Sequence, residues 1–212
     1  THPEPSFPGF ALAHEHALEP AGLSGADYVD FCLDFCRERH IDALWPGKEA
    51  RLLAEQHARF AAAGVRLLSV AAPGSLERLH DKARFAAEAR EFHIPTPETI
   101  PFCTAAEFES AYERLRFTHD VLCIKPARGL NGAGFRVIQE GHAGLDGLVR
   151  DGLYTIQLGC LRQLLARTPP DETWLLMDYL AGDEYSLDAV GDGRRLIALT
   201  QRRKASGGAY GQ

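Results

Sequence analysis

Lysine, methionine and long apolar runs are scarce in this sequence. Methionine occurs once and tryptophan twice in 212 residues. No uncharged apolar stretch approaches the roughly 18 residues of a membrane-spanning helix. The opening THPEPSFPGF has neither the charged nor the apolar region of a signal peptide, so a cytoplasmic protein without a membrane partner is expected. The five cysteines are odd in number and scattered. Cys32 and Cys36 stand one helical turn apart, but no histidine or second cysteine pair follows at zinc-site spacing. Buried free thiols in a reducing compartment fit better than a disulfide framework. Acidic residues exceed basic ones by 29 to 23, which gives no support to broad nucleic-acid binding. What is present is a globular composition, 45% hydrophobic and 25% charged, enough for one full-sized domain or two small ones. Of the 23 basic residues only Lys48, Lys82, Lys125 and Lys204 are lysine, so each of the four invites a question. The chain begins without methionine, and a piece of a longer protein is expected.

The order of elements predicts two regions. Residues 1–23 read as irregular. Ser24 is placed as a helix N-cap, with Asp27 at the reciprocal position and Tyr28, Phe31, Cys32 and Phe35 at helical spacing. A short strand over 41–45, a helix over 48–63 closed by Gly64, and a strand over 65–70 follow. Alternation of helix with short apolar strands is the signature of a parallel α/β unit. Next come a helical region over 76–92, a helix over 105–117 opened by a Thr104/Glu107 capping box, and strands over 121–125 and 135–139. A helix near 157–167 and strands over 173–179, 184–190 and 196–201 complete the order, the last two joined by an Asp192-Gly193 turn. Residues 1–75 thus read as α/β and residues 76–212 as α+β with antiparallel hairpins.

The segment Lys125-Pro-Ala-Arg-Gly129-Leu-Asn-Gly132-Ala-Gly134 has loop chemistry of its own. No Lys-Ser/Thr pair follows the last glycine, so it is not a P-loop. A strand rather than a helix follows, so it is not a dinucleotide fingerprint. Glycines let backbone N–H groups approach an anion without a Cβ in the way, and a strand lysine before them adds a point charge. The glycines alone fit a flexible hairpin tip equally well.

Combined with Asp81-Lys82 upstream and Trp174-Leu-Leu-Met-Asp-Tyr-Leu-Ala-Gly-Asp-Glu-Tyr-Ser-Leu-Asp188 downstream, the loop resembles that of the ATP-grasp superfamily. The resemblance covers nearly the whole chain and is nearest to a bacterial branch of unassigned substrate. It implies a partial Rossmann-like pre-ATP-grasp domain over 1–75, then a truncated ATP-grasp domain over 76–212. That second domain would hold a lid lobe at about 98–180 and the start of the large lobe. It further implies ATP as the bound nucleotide, with Lys82 and Lys125 on its phosphates and Gly129, Gly132 and Gly134 in a mobile lid. Met177, Asp178 and Leu180 would lie in the hinge whose backbone bonds adenine. Glu184 would take the ribose hydroxyls, with Asp188 as a second acid on the same strand face. Gln201-Arg202-Arg203-Lys204 resembles a biotin carboxylase segment, which makes Arg202 and Lys204 candidates for substrate or phosphate contact. Solvated strand ends remain the alternative for all four charged strand positions.

No Asp or Glu occurs from residue 201 onward, so the late acidic residues that bind Mg2+ in this superfamily are missing here. Mg2+ is expected of the longer protein, with no metal ligand assigned in this chain. The implied activity is ADP-forming ligation of a small carboxylate through an acyl phosphate. The chain as given is not expected to be competent alone, and the alternative is a non-catalytic nucleotide-binding module.

Overall fold

The computed structural model describes residues 1–129, 132–141, 154–167 and 170–203. It divides into two compact units, Thr1–Leu79 and His80–Gln212. The sequence places that division near residue 75. Helix α4 (Pro73–His80) starts at the Pro-Gly turn expected to separate the regions.

In the first unit, α1 (Gly25–Glu38) buries Tyr28, Val29, Cys32, Leu33 and Cys36, one stripe at helical period. Phe31 and Phe35, expected on that stripe, are only half-buried. Ser24 has N-cap backbone geometry, but its side chain makes no cap bond, so the expected reciprocal pair with Asp27 does not form. Strands β1 (Ala43–Leu44) and β2 (Arg66–Leu67) pair in parallel, as the alternating pattern predicts, although each is two residues long. The crossover between them is two short helices, α2 (Ala50–Glu55) and α3 (His57–Ala62), because the chain leaves helical geometry at Gln56. Gly64 closes α3 at φ +77°. Its N–H donates to Ala61 O at 3.0 Å, and Val65 N–H donates to Phe60 O at 2.9 Å. That is a Schellman closure, which needs the left-handed backbone only glycine adopts without strain.

The second unit starts with α5 (Lys82–Glu91). The single helical region expected over 76–92 is broken at Asp81, whose extended backbone and side chain cap α5 by accepting from Ala83 N and Arg84 N. The sheet has strand order β3-β7-β4-β5-β6, from β3 (Thr99–Phe102), β4 (Leu122–Pro126), β5 (Arg136–Gln139), β6 (Thr155–Gln157) and β7 (Trp174–Asp178). All pairings are antiparallel except β5 with β6. Both edge strands, β3 and β6, escape sequence reading. Pro101 inside β3 argues against a strand, yet an edge strand tolerates it because β3 pairs on one side only.

Helices α6 (Ala105–Leu115) and α7 (Leu158–Arg167) supply Phe108, Ala111, Tyr112, Leu115, Leu161 and Leu165 to a core shared with Phe102, Leu122, Ile124, Ile138 and Leu176. The Thr104/Glu107 capping box is complete. The last described elements, β8 (Tyr185–Gly191) and β9 (Leu196–Arg203), form an antiparallel hairpin. Asp192 Oδ1 fixes its turn by accepting from Arg194 N and Arg195 N at 2.9 and 3.0 Å. Every hairpin residue is exposed, including Leu187, Ile197 and Leu199. No helix among the described residues is long and apolar enough to cross a membrane.

Two substitutions test these assignments by chemical denaturation. Gly64→Ala forces a Cβ into left-handed backbone and destabilises the protein by about 1–2 kcal/mol. Phe108→Ala, at a fully buried ring, costs about 3–5 kcal/mol.

Candidate functional site

The sheet of the second unit has two distinct faces. Partners in antiparallel register share a face, and successive residues alternate. Leu122, Ile124, Leu176 and Phe102 therefore face the helical core. Cys123, Lys125, Leu175, Met177 and Thr99 lie on the other side. Lys125 is half-buried there, and its ammonium makes no ion pair or hydrogen bond with a described residue. Burial pushes its ammonium pKa below the ordinary lysine value, and the charge of Lys82 pushes the same way. Burial likewise lowers Lys82, against the pull of Glu172 and Asp81. The same burial raises the neighbouring Cys123 thiol to about 11, so it stays neutral at physiological pH.

Lys82 is brought to the glycine loop by two sets of bonds. Its backbone N–H donates to Ala127 O at 2.9 Å. Its ammonium donates to Gly129 O at 2.8 Å and lies 3.5 Å from Pro126 O and Ala127 O. Asp81 stands 3.5 Å from Arg128 while capping α5, so the helix start and the loop are fastened as one piece. Neither Asp81 nor Arg128 carries a site role in the sequence reading. Their adjacency to Lys82 and to Gly129 is the available signal.

Gly129, Gly132 and Gly134 all have positive φ, while Leu130 and Asn131 lie outside the described residues. Gly134 is the constrained one. A Cβ there would stand 2.8 Å from Pro126 Cδ and 3.2 Å from Trp174, at φ +79°. At the loop's end the Phe135 ring lies 6.5 Å from that of Tyr179, next to the expected hinge.

At the hinge, Met177 is buried, Asp178 N–H donates to Glu98 O at 3.1 Å, and Tyr179 N–H donates to Val121 O at 3.0 Å. Those two amides are thus committed to the sheet. Leu180 N–H makes no backbone hydrogen bond among the described residues. The Asp178 carboxylate points to the α6 side of the sheet, where His119 Nδ1 stands 3.4 Å from it. His119 Nε2 stands 3.2 Å from Glu98, which Arg114 also contacts at 3.2 Å. These contacts hold Glu98 below the usual carboxylate range. The His119 cluster has no signal in the sequence, since its members come from three separate segments.

Ser186 and Asp188 lie in β8, whereas Glu184, expected on the same strand, precedes its first residue. Across the strands, however, Arg202 pairs with Asp188, Nη2 to Oδ2 at 2.8 Å and Nε to Oδ2 at 2.9 Å. The acid and base expected to meet ligand therefore neutralise each other, and Arg203 turns to Asp183 at 3.4 Å. Lys204 lies outside the described residues. Among the described residues no group of three or more His, Cys, Asp or Glu side chains could hold a metal ion.

No family model matches the chain. Over 148 residues, 70% of its length, it is 23% identical to the carbamoyl phosphate synthase large chain of Pyrococcus furiosus and spans 12% of that protein. Among solved structures it is similar to D-alanyl-alanine synthetase A from Vibrio cholerae, with 14% identity, a TM-score of 0.48, and coverage of 74% of this chain and 43% of that one. It is also similar to a RimK domain ATP-grasp protein from Sphaerobacter thermophilus, with 15% identity, a TM-score of 0.46, and coverage of 76% and 55%. The biotin carboxylase domain of the Hydrogenobacter thermophilus 2-oxoglutarate carboxylase, in complex with MgADP, gives 18% identity, a TM-score of 0.47, and coverage of 85% and 37%. The chain spans 12% of the curated relative and 37–55% of these solved ones.

The half-buried lysines carry a stability signature. A lysine whose folded pKa lies below its unfolded value destabilises the fold at neutral pH. That penalty is relieved as pH rises from the folded pKa toward the ordinary value near 10.4. Lys125→Met removes the penalty, so a higher Tm of the ligand-free chain at pH 7 is expected in a thermal melt. A lower Tm would mean that Lys125 has a stabilising partner.

Proposed function

We propose that this chain is the nucleotide-binding part of an ATP-grasp ligase that activates a small carboxylate as an acyl phosphate, with release of ADP. The observation that carries the reading is the pair of mutually repelling, half-buried lysines beside a loop of positive-φ glycines, with no described carboxylate bonded to Lys125. A polyanion seated there removes the repulsion and compensates the desolvated charge.

ATP, seated between the loop and the hinge, supplies the phosphoryl group. Lys125 sets a positive charge against the phosphates, and Lys82 holds the loop's entry carbonyl so that backbone N–H groups turn toward them. In this reading Leu180 N–H donates to the base edge and the Glu184 carboxylate accepts from the ribose hydroxyls. The substrate carboxylate oxygen attacks the γ-phosphorus while the bond to the β–γ bridging oxygen breaks, and the electron pair leaves on ADP. A second nucleophile then displaces phosphate. Loop closure from Gly129 to Gly134 excludes water from the acyl phosphate meanwhile.

One observation favours a second reading, a nucleotide-binding module without catalysis: Asp188 and Arg202 are committed to each other. Calorimetry separates the possibilities in two stages. Titration of this chain with ATP, with and without Mg2+, is expected to show binding that weakens about tenfold or more in Lys125→Met. Absence of binding by the wild-type chain removes the nucleotide reading for it. Carboxylate-dependent ADP release by the longer protein then supports the ligase, and binding without release supports the module.

A further inference from the structure

The first unit holds a cavity of about 550 Å³. Sites for small organic ligands span about 300–1,000 Å³ and are mostly apolar, with a few placed polar groups. One wall is α1, where Tyr28, Phe31 and Phe35 stand three and four residues apart on one ridge. Their rings follow one another, 6.4 Å from Tyr28 to Phe31 and 5.9 Å from Phe31 to Phe35. Trp45 adds a fourth ring from the segment after β1 and is largely exposed. Helical spacing places Phe31 and Phe35 in the core, yet both are left half-buried against this space.

The cavity has two charged side chains, Glu19 and Lys48, and they are held on each other. Glu19 is 8% exposed, with its N–H donating to His2 O at 3.1 Å and its Oε1 accepting from Thr1 Oγ1 at 2.8 Å. Lys48 Nζ stands 2.8 Å from Glu19 Oε2 and 4.2 Å from the centre of the Tyr28 ring. Burial pushes the Glu19 pKa up, but Lys48 and Thr1 outweigh it and hold the carboxylate below its ordinary range. Burial raises the Tyr28 hydroxyl and the thiols of Cys32 and Cys36, so these lining groups are neutral at physiological pH. The pair therefore cancels. An anion entering beside it meets Glu19 as well as Lys48, a cation meets the reverse, and either gives up its own hydration for no net attraction. A neutral ligand avoids that cost. An ammonium also has three donors, of which Glu19 takes one, and Lys48 makes no other hydrogen bond or ion pair among the described residues.

We propose that this cavity binds a neutral, flat aromatic molecule bearing a hydrogen-bond acceptor. The ligand ring lies among the aromatic side chains of α1, and its acceptor takes an N–H of Lys48. Glu19 holds that ammonium over Tyr28. Every residue involved belongs to the first unit, so the site does not depend on the nucleotide reading.

Benzamide, benzoate and benzamidine share one shape and are neutral, anionic and cationic in turn, which makes them the probes. Each is titrated into the isotope-labelled chain at about pH 9, above the range in which imidazoles and α-amino groups titrate, with binding read from backbone amide shifts by NMR. Benzamide is expected to shift the amides of Tyr28, Phe31 and Phe35, and to bind about fivefold more tightly than either charged probe. The double variant Glu19→Met/Lys48→Met removes both charges together, leaving neither buried alone, and is expected to bind benzamide about tenfold more weakly. The comparison of the three probes on the wild-type chain stands whether or not that variant folds. A charged probe that binds as tightly as benzamide, shifts confined to the second unit, or unchanged benzamide affinity in the double variant would overturn the proposal. So would failure of all three probes to bind.

Discussion

Two ammonium groups held partly out of water on one piece of sheet and loop are the constraint around which the second unit is arranged. Lys125 points away from the helical core because β4 alternates, and its neighbours Cys123, Leu175 and Met177 strip water from its stem. Lys82 arrives from another element, α5, and stays because three loop carbonyls surround its ammonium. Carbonyls satisfy its hydrogen bonds, and Glu172 and Asp81 act on its charge without bonding it. A fold that only had to be stable would pair such charges or turn them to solvent.

The remainder of the unit fastens this arrangement in place. Asp81 caps α5 and contacts Arg128, so the helix carrying Lys82 and the loop it touches move as one body. Gly134 lets the chain pass Pro126 and Trp174 at a distance no side chain tolerates, which returns the loop to β5. Phe108, Leu115, Ile124 and Leu176 hold the opposite face of the sheet on α6 and α7. The hairpin β8–β9 differs in kind. All its residues are exposed, and its charges pair across the strands in high dielectric, where each pair contributes little. An isolated two-stranded hairpin is marginal in water, so this segment is the least secured part of the described chain.

Local chemistry is legible from the chain alone. The Thr104/Glu107 box, the closure at Gly64 and the glycine loop inside an antiparallel pair each depend on residues within a few positions of one another, where side-chain and backbone preferences act directly. Lysine scarcity draws attention to Lys82 and Lys125 for the same reason: composition is a property of the chain alone. The elements that escape sequence reading do so for two different reasons. Pro101 hides β3, because tolerance of proline depends on whether a neighbouring strand exists. The split at Asp81 is masked, because helical periodicity continues on either side of it.

What only the tertiary structure decided is which distant groups meet. Lys82 and Gly129 stand 47 positions apart, and nothing in the spacing says that the ammonium takes that carbonyl before any anion. Register sets Arg202 opposite Ser186, diagonal to Asp188, and the two expected ligand-binding groups meet there as one ion pair. Strand order places the entry of β3 beside the exit of β7, and this alone puts Glu98, His119 and Asp178 at one junction. The sequence by itself determined most of the elements, the caps and the identity of the charged groups, since those follow from short-range sterics and hydrogen bonding. Pairing between remote segments follows from burial of a shared core, and it decided which of those charges are compensated and which stand open to a ligand.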